Sequence, residues 1–200
     1  MLSKELRQRI RTQRNALSKA EGQCAARDLA KCITVLPIFT AAQHIAGYLA
    51  NNGEIDPAPI LEQALTLNKR VYLPVLLGKQ EPMLFAPYWP DIKLKPNRFG
   101  IPEPDVPLEN MLSAKQLDLV VTPLVAFDHN GNRLGMGGGF YDRTFAFLNQ
   151  SPYPAKPCLL GVAYELQKVT ELVSQPWDVR LAAIVTEAAI YTRDNRFQRK

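Results

Sequence analysis

Sulfur and imidazole are scarce in this 200-residue chain: it has three cysteines, Cys24, Cys32 and Cys158, and two histidines, His44 and His129. The cysteine number is odd and no Cys-x-x-Cys pair occurs, which argues against a disulfide framework or a zinc ribbon. Cys24 and Cys32 fall in a helical stretch and read as small, buried, reduced thiols. The histidines have no ligand spacing, so a zinc site is not expected. No apolar run approaches the roughly 20 residues of a membrane span. The basic N-terminal stretch lacks the apolar segment of a secretory signal. Together these absences lead to the expectation of a cytoplasmic protein with no membrane partner. Internal repeats are absent too, and so is the Gly-Lys-Ser/Thr triplet that ends a Walker A loop.

The apolar fraction of 46 % is ordinary for a globular protein, and the length allows one substantial core. The formal net charge of +5 fits an anionic ligand without identifying it.

The chain opens with a helix predicted over residues 3–17. Leu6, Ile10 and Leu17 lie near one face, and Lys4, Arg7, Arg11 and Arg14 form a cationic stripe on another. Ser18 and Glu21 spell a capping box that starts a second helix, to about residue 35. Residues 44–50 read as a strand, followed by a turn at 51–55. Asp56 is placed as the cap of the next helix, with Pro57 in its first position and Ile60, Leu61, Ala64 and Leu65 on its buried face. Residues 69–75 form the following strand, so the unit is β-α-β with parallel strands. Residues 82–88 suit an edge strand bracketed by prolines. The proline-rich stretch 90–107 suits a long ordered arm, and burial is the expected role of Trp89 and Phe99, with stacking on a flat ligand the alternative. Further strands are placed at 117–124, 157–164 and 182–187, and the polar tail 192–200 is expected to fray. The fold class is α/β: a single domain over residues 1–200, with a mainly parallel central sheet flanked by helices.

Four of the eleven glycines fall between positions 135 and 139. They stand between the apolar strand ending at Leu124 and an amphipathic stretch containing Phe140, Tyr141, Phe145 and Leu148. A glycine loop opening a helix makes an anion cradle, because its backbone N–H groups point outward and no Cβ blocks a phosphate. A Rossmann G-x-G-x-x-G starting at Gly135 would need glycine where Phe140 stands. Glycine clusters also serve as simple turns, but here Arg133 puts a cation at the loop's mouth and Asp142 puts a carboxylate one helical turn away. A carboxylate beside phosphates repels them unless a divalent cation lies between, so the combination suggests a magnesium nucleotide.

The segment from Gly131 to Asp142 resembles the signature of the 5-formyltetrahydrofolate cyclo-ligases (methenyltetrahydrofolate synthetases), approximately Gly-x-Arg-Leu-Gly-x-Gly-x-Gly-Tyr-Tyr-Asp. Phe140 replaces the first tyrosine, and Met136 and Gly138 fill positions where some members carry basic side chains. The resemblance extends from about Lys4 to Glu187. It implies ATP binding by Lys4, Arg7, Arg133, Leu134, Gly135, Met136, Gly137, Gly138, Gly139, Phe140 and Tyr141, with Arg133 and Asp142 catalytic. It also implies binding of the folate by Leu49 and Glu54, since a carboxylate can accept the paired N–H groups of a pterin edge. Asp142 and Asp178 are the implied magnesium ligands. The spacing around Asp178 departs from the family pattern, and a turn-capping role is the competing reading. Arg11 and Arg14 are candidate partners for the polyglutamate tail of a folate.

The implied fold is related to the sugar-phosphate isomerase and CoA-transferase group. The implied reaction is ATP-dependent closure of 5-formyltetrahydrofolate to 5,10-methenyltetrahydrofolate with magnesium. Two other classes stay open on sequence. A sugar-phosphate isomerase or acyl-CoA enzyme would use the glycine loop without ATP but gives Asp142 no metal role. A nucleic-acid module would use the arginine-rich first helix, which lacks interleaved aromatics; no nucleic acid is therefore expected. Oligomeric state is open, with a monomer favoured.

Overall fold

The structure, a computed structural model, describes residues 3–151, 155–192 and Phe197. Helix α1 (Ser3–Asn15) and helix α2 (Lys19–Thr34) follow the two amphipathic segments at the start of the chain. The capping box between them forms: Ser18 Oγ accepts from the Glu21 N–H, and the Glu21 carboxylate accepts from the Ser18 N–H at 2.8 Å. A cap of this kind contributes about 1 kcal/mol. The short helix α3 (Pro37–Ala41) then leads into strand β1 (His44–Ala46).

β1 is shorter than its apolar run. A Cβ at Gly47 would lie 2.7 Å from Leu61 Cδ2, so glycine there lets the next helix close onto the strand end. Beyond it the chain leaves the sheet in a loop tied by Tyr48 Oη, which donates to the Ile55 carbonyl at 2.6 Å. Helix α4 (Ala58–Thr66) starts one residue later than expected. Pro57 itself takes the cap position, and Asp56 Oδ1 accepts from the Ala58 N–H at 3.0 Å.

The remaining elements are β2 (Arg70–Val75), β3 (Leu84–Tyr88), the hairpin strands β4 (Leu94–Pro96) and β5 (Pro102–Pro104), and β6 (Leu119–Pro123). The strands β7 (Ala126–Phe127) and β8 (Arg133–Leu134) precede helix α5 (Phe140–Phe145), and β9 (Cys158–Val162), β10 (Ala183–Val185) and β11 (Ile190–Thr192) complete the set. The central sheet has seven strands in the order β11-β10-β9-β6-β1-β2-β3. Its inner five run parallel, and β3 and β11 are antiparallel edges. Pro87 sits in edge strand β3, where its missing N–H costs least.

Strand alternation divides the core. Leu119 and Val121 of β6, with Leu160 and Val162 of β9, face α2 and α4. Val120 and Leu159 face the other way, onto Phe85 and Phe145. Each fully buried aliphatic side chain contributes roughly 1.5–3 kcal/mol. Helix α1 stands apart and docks Leu6 and Ile10 on its own small cluster with Val125 and Ala126.

Several expectations need correction. Cys158 is buried, but Cys24 is exposed and Cys32 only partly covered. Trp89 and Phe99 are exposed (48 % and 56 %), not packed inside. The 90–107 arm is ordered as the β4–β5 hairpin around the buried Glu103, whose Oε1 accepts from Asn97 Nδ2 at 2.7 Å and the Leu76 N–H at 3.0 Å. The 192–200 tail lies mostly outside the described residues, yet Phe197 is buried in the main core. Among the described residues no helix is long and apolar enough to cross a membrane.

Candidate functional site

Two loops near the C-terminal ends of the parallel strands carry the candidate residues, at the edge where open α/β sheets bind ligands. The first follows β1. Asn52 and Gly53 adopt consecutive left-handed conformations (φ 51° and 71°), which reverse the chain and present Glu54. The Asn51 N–H donates to Glu54 Oε2 at 3.0 Å, and the Glu54 N–H donates to the Asn51 carbonyl at 3.1 Å. Glu54 is half-buried. Burial pushes its carboxyl above the usual range, and the Asn51 N–H and the Arg14 charge pull it back in part. Leu49 is half-buried just upstream, beside a small cavity of about 120 Å³ lined also by Tyr48, Asp56 and Tyr88.

The second loop does not spring directly from the central sheet, as the sequence suggested. After β6 the chain makes the β7–β8 hairpin, a separate two-stranded sheet, and only then enters residues 135–139. The hairpin turn is held by Asp128, fully buried, which accepts from the Asn130, Asn132 and Leu172 N–H groups at 2.9–3.0 Å. Gly137 (φ 99°) and Gly139 (φ 65°) are left-handed, and Gly139 caps α5. Helix α5 has only six residues, so its dipole adds little, and the loop's own amides and the surrounding arginines set the potential. Residues 135–138 are exposed, Met136 among them.

Arg133, on β8, is the most enclosed cation of this loop. Its side chain is 9 % exposed; Nη2 donates to Asp142 Oδ1 at 2.6 Å and Nη1 to the Val179 carbonyl. The Val179 N–H donates to the same Asp142 oxygen at 3.2 Å, closing a triangle between β8, α5 and the segment before β10. Burial lowers the Arg133 pKa, and the charges of Asp142 and then Asp178 offset that loss. Asp178 itself caps a turn: its Oδ2 accepts from the Gln175 N–H at 2.8 Å, the competing role read from the sequence. Among the described residues no three His, Cys, Asp or Glu side chains gather into a metal cage. The set fits a cation that arrives already bound to phosphates and needs only one or two carboxylates.

The cationic stripe of α1 is distributed between the two loops. Arg7 Nε donates to the Gly135 carbonyl at 2.8 Å. Arg11 Nη2 donates to Asn52 Oδ1 at 2.6 Å and Arg14 Nη2 to the Asn52 carbonyl at 2.8 Å. Lys4, one turn before Arg7, is exposed. Arg14 is 3 % exposed, so it is closed to a solvent-borne polyglutamate tail, and Arg11 alone of the two stays at the surface. Three of the four cations thus bind the protein's own loops, which weakens the nucleic-acid reading.

Tyr141 of α5 joins the halves. Burial, and after it the Glu54 charge, pushes its phenol well up, so the carboxylate of one loop is felt on the helix that ends the other. Phe140 carries the arm: Phe99 meets it edge-on at 6.0 Å, and Arg143 lies over its ring at 4.9 Å.

The family profile of 5-formyltetrahydrofolate cyclo-ligases matches residues 2–187. The chain belongs to this family. It is 39 % identical over 183 residues to the 5-formyltetrahydrofolate cyclo-ligase of Escherichia coli (strain K12), covering 91 % of this chain and 98 % of that one. It is 45 % identical over 146 residues to the Haemophilus influenzae protein of the same name, covering 72 % and 75 %. Among solved structures, the 5,10-methenyltetrahydrofolate synthetase of Aquifex aeolicus superposes with a TM-score of 0.81 at 30 % identity, over 100 % of this chain and 96 % of that one. The corresponding Mycoplasma pneumoniae enzyme superposes with a TM-score of 0.72 at 25 % identity, over 94 % and 99 %. The chain is therefore a cyclo-ligase of this family with its single-domain α/β fold.

Sequence reasoning missed Asp128, Arg14 as a buried group, and Tyr48. Asp128 had a local signal, an acid opening a polar turn with glycine. Arg14 had none, because its role depends on α1 packing against the 51–55 turn, and Tyr48 reads as one more apolar strand residue until the loop folds back to bring the Ile55 carbonyl to its hydroxyl.

Proposed function

We propose that the enzyme couples ATP hydrolysis to ring closure: ATP + 5-formyltetrahydrofolate → ADP + phosphate + 5,10-methenyltetrahydrofolate. The observation that supports this reading is the approach of two unlike half-sites. Helix α1 ties them together: Arg11 and Arg14 donate to Asn52, two residues before the half-buried carboxylate Glu54, and Arg7 donates to Gly135 of the glycine loop, which Arg133 flanks.

The formyl group is amide-like, and its oxygen is a poor leaving group. Transfer of the γ-phosphoryl to that oxygen gives an iminium-like phosphate ester at N5. N10 then attacks the formyl carbon and loses its proton, and the oxygen departs with phosphate. The chain's residues bind, orient and neutralise, and no protein nucleophile is needed. Glu54 and Leu49 hold the pterin, the carboxylate accepting its N–H pair and the leucine covering the ring. The amides of residues 134–141, with Lys4, Arg7 and Arg133, hold the phosphates. Asp142 and Asp178 would hold magnesium, which supplies screening of phosphate charge. Arg11, exposed beside Asn52, is the cation that would meet a polyglutamate tail.

Mixing the protein with Mg-ATP and 5-formyltetrahydrofolate and following the methenyl chromophore tests the proposal. The chromophore is expected only when ATP and a divalent cation are both present. Equal turnover in excess EDTA would remove the metal from the account, and turnover without ATP would remove the coupling.

A further inference from the structure

The mechanism above assigns no role to the most deeply buried cation of α1. Arg14 is 3 % exposed, and its Nη2 donates to the Asn52 carbonyl. Its Nε and Nη1 are buried without a hydrogen-bond partner, a costly state for a cation unless an opposite charge lies near. The turn is fitted against the arginine's own stem: a Cβ at Gly53 would meet Arg14 Cβ at 3.3 Å and Asn15 Oδ1 at 2.5 Å. The following residue is Glu54, a half-buried carboxylate that accepts from the Asn51 N–H and forms no direct ion pair with Arg14. Two charges of opposite sign are therefore withdrawn from water against the same turn, Arg14 on its Asn52 carbonyl and Glu54 on its Asn51 N–H.

We propose that Arg14 is a positioning residue for the folate site: it fixes the 51–54 turn through Asn52 and supplies, from behind that turn, the positive charge against which Glu54 remains a carboxylate. This rests on the assignment of Glu54 to the folate. The chemistry requires it, because only the ionised carboxylate accepts both N–H groups of a pterin edge. Other groups facing the pair do not supply that charge. Tyr48 after β1, Tyr141 on α5, Tyr164 after β9 and Asp56 on the same loop are neutral or acidic, and Arg11 lies at the surface on Asn52. Burial pulls Arg14 down as it pushes Glu54 up, and each offsets part of the other's cost.

The test follows the Glu54 carboxyl by carbon NMR in the ligand-free protein, assigned with Glu54→Gln, for the wild type, Arg14→Gln and Arg14→Lys. In Arg14→Gln the titration midpoint should rise by about one pH unit or more. In Arg14→Lys, which keeps the charge and loosens the turn, it should stay near the wild-type value. The dissociation constant for 5-formyltetrahydrofolate, measured without nucleotide, should weaken in Arg14→Gln relative to the wild type by up to about tenfold at pH values near and below the two midpoints, and should match the wild type once pH is well above both. An unmoved midpoint in Arg14→Gln overturns the proposal. A midpoint that moves while folate affinity at those pH values does not would remove Glu54 from the folate site, and with it the assignment on which the proposal rests. Should Arg14→Gln fail to fold, Arg14→Met, whose apolar stem occupies similar space without the charge, takes its place with the same expected and overturning results.

Discussion

The two loops of the site solve opposite problems. Residues 51–56 place one charged side chain where water is partly excluded, and side chains from outside the turn hold it there: Tyr48 ties the loop and Arg11 and Arg14 grip Asn52, while the Asn51 N–H holds the carboxylate. Residues 135–139 keep their backbone open to solvent, and they do so with glycines whose left-handed angles no other residue adopts cheaply. A ligand recognised by the direction of a few hydrogen bonds suits the first, and one recognised by diffuse negative charge suits the second. The difference also divides what each loop tolerates. The first should respond to loss of a functional group and, at Gly53 alone, to gain of a Cβ; the second should respond at its glycines to gain of a Cβ.

Breaking the second loop at its anchor should have the largest effect. Arg133→Met leaves Asp142 facing an apolar stem and removes the enclosed cation from the phosphate site, so kcat/KM should fall by about 10²–10³-fold while the protein still folds. Steady-state kinetics beside circular dichroism would check this, and an intact rate would show that the Arg133–Asp142 pair is structural only.

Arg7→Ala sharpens the comparison, because Arg7 touches the glycine loop and not the 51–56 turn. Nucleotide affinity should drop by about tenfold, close to 1.4 kcal/mol, with folate affinity nearly unchanged. Loss of both would mean that α1 acts as one rigid strut, and the two loops could not then be treated separately.

A smaller effect is expected away from both loops. Asp118, at the opposite end of β6, is pushed up by burial, but the His44 and Gln43 N–H groups and Lys156 together bring it to about 2. Its folded value lies below its unfolded value, so its stabilisation is complete above the unfolded pKa, about 3.9. It is lost as pH falls toward the folded value. Asp118→Ala should lower the thermal midpoint by about 2–4 °C near neutral pH, and this gap should close on acidification toward about pH 2. Activity at neutral pH should not change. A gap independent of pH would show that Asp118 contributes through packing and not through its charge.

The two loops were unequally legible in the sequence. The glycine loop could be read because its requirement is local: glycine serves both positive φ and close approach of a ligand to the backbone, and Arg133 and Asp142 flank the glycines within the same segment. What that reading missed was the β7–β8 hairpin, whose two-residue strands are too short to show alternation, and the shortness of α5. Glu54 could be placed in a strand-to-helix loop by the β-α-β pattern alone. Its environment could not, since it comes from Arg14 forty residues upstream and Tyr141 far downstream. The exposure of Phe99 was misjudged for a related reason: hydrophobicity argues for burial, but the β4–β5 hairpin is held by Glu103 and leaves its tip ring to Phe140. The central sheet was readable because each inner strand is a continuous apolar run bounded by turn residues.

The central claim is that one loop recognises the folate and the other the nucleotide. Calorimetric titration of Glu54→Gln and Gly137→Ala, each with 5-formyltetrahydrofolate and with Mg-ATP, tests it most directly. Glu54→Gln should lose about 1.5–3 kcal/mol of folate binding and keep its nucleotide affinity. Gly137→Ala should lose about tenfold in nucleotide affinity, or roughly 1.4 kcal/mol, and keep the folate. Gly137 is suited to the test because a Cβ there meets nothing nearer than Arg7 Nη2 at 3.6 Å, so the change acts through the φ of 99° and through the approach of the phosphates. A crossed pattern supports the division of labour. Equal losses of both ligands in both variants, or no loss in either, would contradict it.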